Sequence, residues 1–232
     1  MKKIVSYSLW GNHPMYWIGA LRNIEIIEKY LPDFICRFYI DKNSNQSLID
    51  SIPENDLVEK ILVDSNKESF YGMFWRFWAA DDPEVDVILS RDCDSRISER
   101  EIKAINEWLE SDKDFHIMRD HPHHNVPILG GMWGARNGIL REVNITNKIK
   151  QWTKFDRKGV DQDFLDQIIY PLVKDKSLIH DDWGRFGGNI KKFPAGRIDR
   201  GFVGEIYDEY DNRNKEHYKL IPYDNIMRNI SK

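Results

Sequence analysis

The chain has 232 residues, and its hydrophobic fraction of 41%, with eight Trp, ten Tyr and eleven Phe, excludes an intrinsically disordered protein. Its formal net charge is −4, and 34 basic residues are mixed with 38 acidic ones, so the sequence lacks the concentrated basic surface that nucleic-acid binding needs. We therefore expect a globular protein with a large apolar core and no nucleic-acid partner.

Cysteine usage and the N-terminus predict a cellular location. Cys36 and Cys93 each lie within an apolar run, which indicates free buried thiols rather than a disulfide. Lys2 and Lys3 lead directly into a strand-like run without a cleavable signal, and no segment approaches the roughly 20 apolar residues that span a bilayer. We expect a cytoplasmic protein; peripheral membrane association and the oligomeric state stay open.

The first half of the chain alternates predicted strands with predicted helices. Hydrophobic patterns predict strands at 4–9, 35–40, 57–63 and 85–89, and helices with an apolar face at 16–30, at 47–52 and at 71–80. Such alternation implies a mostly parallel sheet with right-handed crossovers.

The second half is less regular. Ser98, with Glu101 three residues later, forms a capping box for a helix that ends near residue 109. A strand at 115–118, a helix at 162–173 that Pro171 halts and a short strand at 177–180 follow, separated by irregular segments at 122–134 and 181–204. The last ~30 residues are expected to wrap the surface. The predicted fold class is α/β, a single Rossmann-like domain over residues 1–232 with a mostly parallel central sheet flanked by helices.

Two aspartates, Asp92 and Asp94, follow the apolar strand at 85–89. In open α/β sheets, ligands bind at the carboxyl ends of the strands. Carboxylates spaced by one residue can point to the same side and share a hard cation such as Mn²⁺ or Mg²⁺. That cation would bind a diphosphate and neutralise its charge when the diphosphate departs as a leaving group. The alternative for Asp94 is a role in a turn or a helix cap.

Three further segments could join the aspartates in a site. They are a glycine loop from Gly130 to Arg136, an acidic segment from Gly159 to Leu165, and His180 after the strand at 177–180. In this order, the four segments resemble the GT-A glycosyltransferase superfamily, most closely the glycogenin-like and the bacterial lipopolysaccharide or capsule sugar transferase branches. The resemblance covers about residues 1–190.

The resemblance implies roles for these segments. Asp92 and Asp94 would bind the metal with His180 as the third protein ligand, although Asp181 or Asp182 could take that place. Gly130 and Gly131 would line the donor sugar and the acceptor.

The acidic segment and the donor site are assigned in the same way. Asp161 is expected to cap a helix, which leaves Asp163 to face the reacting sugar, either as a general base in an inverting enzyme or to orient hydroxyls in a retaining one. Arg76 lies among large apolar residues and needs an acidic or a nucleotide partner, and the resemblance places it at the donor. Tyr7 and Ser8 would dock the base and the ribose.

A basic tract near Lys191 also contains several glycines, so it could form a loop that faces a phosphate; a solvated loop is the alternative. The glycine residues in the tract allow close backbone approach to an anion.

The expected function is a metal-dependent glycosyltransferase that moves a monosaccharide from a nucleotide-diphosphate sugar, with UDP-sugar favoured, to a hydroxyl of a glycan or lipid-linked acceptor. Residues 1–96 would form the nucleotide-sugar half, 97–204 the acceptor and catalytic half, and 205–232 a C-terminal surface segment. The sequence does not identify the sugar, the acceptor or the stereochemical outcome.

Two other functions stay open. His121, His123 and His124, with Asp120, would suit zinc or iron in a metal-dependent hydrolase or nucleotidyltransferase, although Pro122 breaks helical ligand spacing and favours a loop that shapes the acceptor pocket. An inactive nucleotide- or glycan-binding module is the third possibility.

Overall fold

The computed structural model describes residues 1–65, 70–136 and 138–222. Over these ranges, eight strands form one sheet in the order β3-β2-β1-β4-β6-β5-β7-β8. The strands are β1 Lys2–Leu9, β2 Phe34–Asp41, β3 Val58–Val63, β4 Val85–Ser90, β5 Phe115–Arg119, β6 Trp133–Arg136, β7 Ser177–Asp181 and β8 Ile190–Lys191. Strand β6 is antiparallel to β4 and β5, and the other pairs are parallel.

Helices cover both faces of the sheet. They are α1 Pro14–Tyr30, α2 Gln46–Ser51, a 3₁₀ helix Tyr71–Ala80, α3 Glu99–Glu110, α4 Ile139–Val143, α5 Ile145–Gln151, α6 Val160–Phe164, a π-helical turn Leu165–Ile169, α7 Tyr170–Val173, a 3₁₀ turn Lys174–Lys176 and α8 Lys215–Tyr218. None of the helices in the described ranges has the length and hydropathy of a membrane span.

Alternation along the strands builds two cores. In β4, Ile88 packs into the core with the 3₁₀ helix, α5 and α6, whereas Val87 and Leu89 pack on the opposite face with α1 and α3. Strands buried on both faces explain the continuous apolar runs in the sequence. The predicted α/β class, with a mostly parallel sheet flanked by helices, is confirmed.

Several local predictions are also confirmed. The strands predicted at 4–9, 35–40, 57–63, 85–89, 115–118 and 177–180 are present, with ends that differ by at most two residues. Ser98 caps α3, since its Oγ accepts the backbone N–H of Glu101 at 3.2 Å. Cys36 and Cys93 are free and buried.

The structure differs from the sequence-based expectation in two places. The segment 122–134, predicted to be irregular, leads into β6, and helices α4 and α5 follow it. Strand β8 lies within the segment 181–204, which was also expected to be irregular. The helix predicted at 162–173 is present and ends at Val173, two residues after Pro171, and a π-helical turn precedes the proline. Because proline lacks an N–H and crowds the preceding turn, the wider turn accommodates it without ending the helix.

Candidate functional site

A cleft opens where the parallel neighbours β1 and β4 end. It has two lobes. The aromatic lobe, about 270 Å³ in volume, is lined by Ser8, Leu9, Trp10, Tyr16, Phe70 and Cys93. The histidine lobe, about 250 Å³ in volume, is lined by His121, His123, His124, Phe202 and His217, with Gly130, Asp161 and several apolar side chains. Both lobes share Met73, Arg76, Asp92, Asp94 and Lys158, so they meet at the two aspartates.

Asp92 and Asp94 lie close enough to affect each other. Burial and then the charge of Asp92 raise the pKa of Asp94 to about 6. The side chain of Asp92 is 44% exposed and faces the cleft. Asp94 does not cap α3, whose cap is Ser98. Two neighbouring carboxylates that repel each other form a donor set that suits a hard divalent cation, because the cation removes the repulsion.

Arg76 lies between two acids and is only 4% exposed. Its guanidinium donates from Nη1 to Asp92 Oδ1 and from Nη2 to Asp161 Oδ2, the latter at 2.7 Å. Its backbone N–H donates to Ser8 Oγ at 2.9 Å, which fixes the 3₁₀ helix against the end of β1. A buried guanidinium requires such partners, and the expected acidic partner near the aspartate pair is present.

Asp161 is fully buried on α6 and lines the histidine lobe. One carboxylate oxygen accepts from Arg76, whereas Oδ1 has no hydrogen-bond partner among the described residues. Burial raises the pKa of Asp161, and the charge of Arg76 opposes that rise. A buried carboxylate oxygen without a partner costs free energy, so a ligand that donates to Oδ1 gains from binding here.

The sequence predicts that Asp163 faces the cleft and that Asp161 caps the helix, but in the structure Asp161 faces the cleft. Gly159, at φ 88°, is the N-cap of α6, so Asp161 is not the cap. Asp163 forms an ion pair with the exposed Arg157 and does not line either lobe. Two residues advance a helix by about 200°, so these acids project from opposite sides.

Gly130 and Gly131 bring backbone directly against the acids. A Cβ at Gly130 would lie 2.1 Å from Asp161 Oδ2, and one at Gly131 would lie 2.0 Å from Asp92 Oδ2. The carbonyl of Gly130 also accepts from Ser90 Oγ at 2.7 Å, which ties this loop to the end of β4. A side chain at either position would displace an acid, so the glycines are required for this arrangement.

His180 does not join the aspartate pair, which corrects the expected third metal ligand. Its Nδ1 is 2.8 Å from His116 Nε2, and its Nε2 is 3.0 Å from Glu107 Oε2, so both ring nitrogens have partners. Strand β7 lies three strand spacings from β4, or roughly 14 Å at about 4.8 Å per spacing. That separation is too large for a shared ion.

The alternatives Asp181 and Asp182 are engaged elsewhere as well. Asp181 Oδ2 accepts from Arg119 Nε at 2.8 Å, and Asp182 Oδ2 accepts from Arg197 Nη2 at 2.9 Å. Over residues 1–65, 70–136 and 138–222, no three His, Cys, Asp or Glu side chains are placed to hold one ion. This also removes the ligand set that a zinc or iron hydrolase would need from the histidine cluster.

Tyr7 and Lys191 lie outside the cleft, contrary to expectation. Tyr7 is buried and stacks on Phe38 with ring centroids 4.9 Å apart, because successive residues of β1 point to opposite faces and Ser8 takes the cleft side. Lys191 lies on β8 and its Nζ bonds to Glu107. The basic tract therefore does not present Lys191 to a ligand at the aspartate pair.

No protein-family model and no curated protein sequence matches the chain. Solved structures that are similar to it include a glycosyltransferase involved in the glycosylation of the major capsid of PBCV-1, with 17% identity and a TM-score of 0.48 over 77% of this chain and 81% of that one. The galactosyltransferase LgtC, solved with donor and acceptor sugar analogues, has 12% identity and a TM-score of 0.42 over 77% and 73% of the two chains.

A third similar structure is the glycosyltransferase GlyE of Streptococcus pneumoniae TIGR4, with 15% identity and a TM-score of 0.39 over 78% of this chain and 46% of that one. All three proteins are glycosyltransferases. At this level of identity and structural similarity, they assign no activity to this chain.

Sequence reasoning did not find Lys158 or His217. Lys158 is exposed on the loop before α6, lines both lobes, and its charge opposes the rise in the pKa of Asp94. Only its place just before the segment with Asp161 indicated it. His217 comes from α8 in the C-terminal segment, and nothing in its local sequence indicates that it closes the histidine lobe.

Proposed function

We propose that the chain is a metal-dependent glycosyltransferase that moves a monosaccharide from a nucleotide-diphosphate sugar, with UDP-sugar as the expected donor, to a hydroxyl of a glycan or lipid-linked acceptor. The observation that carries this proposal is the position of Asp92 and Asp94, which stand between two lobes of one cleft at the carboxyl end of β4. A diphosphate held there would extend its nucleoside into one lobe and its sugar into the other.

The aromatic lobe suits the nucleoside. Trp10, Tyr16 and Phe70 give it large apolar surfaces on which a flat base can pack, and Ser8 and Leu9 also line it. Ser8 uses its hydroxyl to accept from the backbone of Arg76, so its role is to position the 3₁₀ helix as well as to shape the pocket.

Asp92 and Asp94 would hold Mn²⁺ or Mg²⁺. When bound, the cation supplies positive charge that stabilises the departing diphosphate. The fit is supported by the position of the pair, since both aspartates line both lobes and the side chain of Asp92 is 44% exposed. Because the described residues offer no third acidic, thiol or imidazole ligand, phosphate oxygens and water would complete the coordination.

The remaining residues position the reactants. Asp161 Oδ1 accepts a hydrogen bond from a sugar hydroxyl, and Arg76 keeps that carboxylate ionised and in place. Lys158 adds positive charge beside the diphosphate. In the transfer, the acceptor oxygen forms a bond to the anomeric carbon, the bond from that carbon to the diphosphate breaks with its electron pair staying on the diphosphate, and the hydroxyl proton passes to solvent water.

A screen of nucleotide sugars with Mn²⁺ and no acceptor tests this proposal, because transferases slowly hydrolyse their own donor. We expect one UDP-sugar to be cleaved, with activity lost in EDTA and restored by Mn²⁺ or Mg²⁺. If UDP binds and no donor in the panel is cleaved or transferred, the catalytic proposal is wrong and the chain is a nucleotide-binding module.

A further inference from the structure

The outer part of the histidine lobe is organised around His121. Its ring lies 4.4 Å from the ring of Phe202, 5.1 Å from His123, 5.6 Å from His124 and 6.0 Å from His217, measured between centroids. The loop at 121–124 and helix α8 are far apart in sequence, and His121 joins them, since its Nε2 is 3.0 Å from the carbonyl oxygen of His217. The outer part of the lobe is therefore formed by tertiary contacts between two segments that are distant in sequence.

Hydrogen bonds fix the protonation of two of these rings. His121 Nδ1 accepts the backbone N–H of His123 at 3.0 Å, so its proton lies on Nε2, which donates to His217. His124 Nδ1 accepts the backbone N–H of Asp120 at 2.9 Å, which leaves its Nε2 as a donor. Burial lowers the pKa of both His121 and His124, so these rings are neutral near pH 7.

The neutral rings of His121 and His124 suit hydroxyl groups rather than anions. A neutral imidazole donates one hydrogen bond and accepts one, as a sugar hydroxyl does. The rings of His123, His124 and His217 line the lobe. Among the described residues, neither His123 nor His217 has a strong side-chain hydrogen bond, since Nδ2 of Asn214 lies 3.5 Å from Nε2 of His217. Leu129, Met132 and Ile206 provide apolar surface between them.

The charges at the inner end of the lobe also disfavour an anion. Asp92, Asp94 and Asp161 line it, and the guanidinium of Arg76 is already bonded to two of these acids. Lys158 is the remaining cation among the lobe's described lining residues, and it lies beside Asp94. When the cation and the donor diphosphate are bound, the negative charge of the diphosphate lies at this end of the lobe, so a phosphate or carboxylate of the acceptor would still meet net negative charge.

We propose that the outer part of the histidine lobe is the acceptor site and that it takes a neutral saccharide, with His123 and His217 as hydrogen-bonding residues for its hydroxyls, while the donor sugar occupies the inner end of the lobe beside Asp161. This inference rests on the proposed function. It adds the class of acceptor and excludes an acceptor whose phosphate or uronic carboxylate enters the lobe. The reactive hydroxyl of the acceptor points from the outer part of the lobe toward the donor sugar at its inner end, and the nucleoside lies on the other side of the aspartate pair in the aromatic lobe.

The test is binding of neutral methyl glycosides of glucose, galactose and N-acetylglucosamine to the full chain saturated with UDP and Mg²⁺, measured by saturation-transfer NMR and titration. The variants are His123→Ala, which removes an exposed side chain, and the double variant with His217→Ala. Asn125→Ala is the matched control, because Asn125 is exposed on the same loop and does not line the lobe.

We expect at least one neutral glycoside to bind to the wild type and to Asn125→Ala. Its affinity should fall roughly fivefold in His123→Ala and about 30-fold in the double variant, at about 1 kcal/mol for each lost hydrogen bond. UDP affinity should stay unchanged in all variants.

Three results would overturn the acceptor inference while UDP still binds: no neutral glycoside binds, the double variant binds as well as the wild type, or glucuronic acid or glycerol phosphate binds more tightly than the neutral sugars. Absence of UDP binding to the wild type would instead refute the proposed function, and the acceptor inference with it.

Discussion

The buried pair between Arg76 and Asp161 gives the sharpest mutational prediction. Asp161→Asn keeps the size of the side chain and removes its charge. Arg76, which is 4% exposed, then keeps Asp92 as its only acidic partner among those it contacts in the structure. The same change weakens the hydrogen bond that Oδ1 would accept from a sugar hydroxyl, because an amide oxygen is a poorer acceptor than a carboxylate.

The magnitudes follow from burial. Removing one partner of a buried ion pair costs about 3–5 kcal/mol, and the retained amide oxygen should keep the loss for Asp161→Asn near about 3 kcal/mol. Loss of a charged hydrogen bond costs about 1.5–3 kcal/mol, or roughly 10- to 150-fold in rate. UDP affinity with metal should change little, because Asp161 lines the histidine lobe rather than the aromatic lobe.

Asp163→Asn is the matched control, since Asp163 lies on the same helix and pairs with the exposed Arg157. We expect its free energy of unfolding to change by less than about 0.5 kcal/mol and its donor hydrolysis to be unchanged. The assays are urea unfolding followed by Trp fluorescence and hydrolysis of the donor found in the screen. An active Asp161→Asn beside an inactive Asp163→Asn would refute the placement of these acids.

Three other predictions address the metal, the diphosphate and pH. Gly131→Ala puts a Cβ 2.0 Å from Asp92 Oδ2, so calorimetric titration should show that Mn²⁺ no longer strengthens UDP binding; a preserved gain would contradict the site geometry. Lys158→Met should weaken UDP binding up to about fivefold at low salt, with a difference that shrinks in KCl; a salt-independent difference would argue against a charge effect. Burial lowers the pKa of His116 in the folded chain well below the 6.5 of an ordinary histidine. The stability that depends on its neutral ring is therefore fully present above pH 6.5 and is lost as pH falls toward the lower pKa of the folded chain. From about pH 7.5 to about pH 5.5, the free energy of unfolding of the wild type should fall by about 1.4 kcal/mol relative to that of His116→Phe, measured in urea. A difference between the two proteins that does not change with pH would contradict the burial of a neutral ring.

The position of the aspartate pair could be predicted from sequence because it depends on local features. An apolar run long enough for a buried strand ends just before Asp92, and the carboxyl ends of parallel strands share one edge of a sheet. The acidic partner of Arg76 could be expected for a similar reason, since a guanidinium among aromatic side chains needs one. These inferences require no knowledge of strand order.

The errors concern features that depend on the phase of a helix or the order of strands. Whether Asp161 or Asp163 faces the cleft depends on where α6 begins, and the left-handed backbone of Gly159 sets that start. His180 was expected near Asp92, yet β6 inserts between β4 and β5 and moves β7 further along the sheet. Strand β6 has only four residues and follows the glycines at 130 and 131, so its alternating pattern is too short to recognise in the sequence.

The histidine lobe shows a different limit. The cluster at 121–124 was visible in the sequence, but its chemistry depends on His217 and Phe202, which reach it only through the path of the C-terminal segment. Local sequence patterns do not reveal that the C-terminal segment folds back against the histidines at 121–124. The neutral state of His124 likewise comes from burial and from the backbone N–H of Asp120, neither of which spacing reveals.

The most direct test of the central proposal is titration of the chain with UDP, with and without Mn²⁺, in the wild type and in Asp94→Ala. We predict that Mn²⁺ strengthens UDP binding to the wild type by about tenfold or more, equivalent to at least about 1.4 kcal/mol, and that Asp94→Ala loses this gain while it keeps its fold. Equal UDP affinity with and without the metal, or a gain that survives in Asp94→Ala, would contradict the assignment of the aspartate pair.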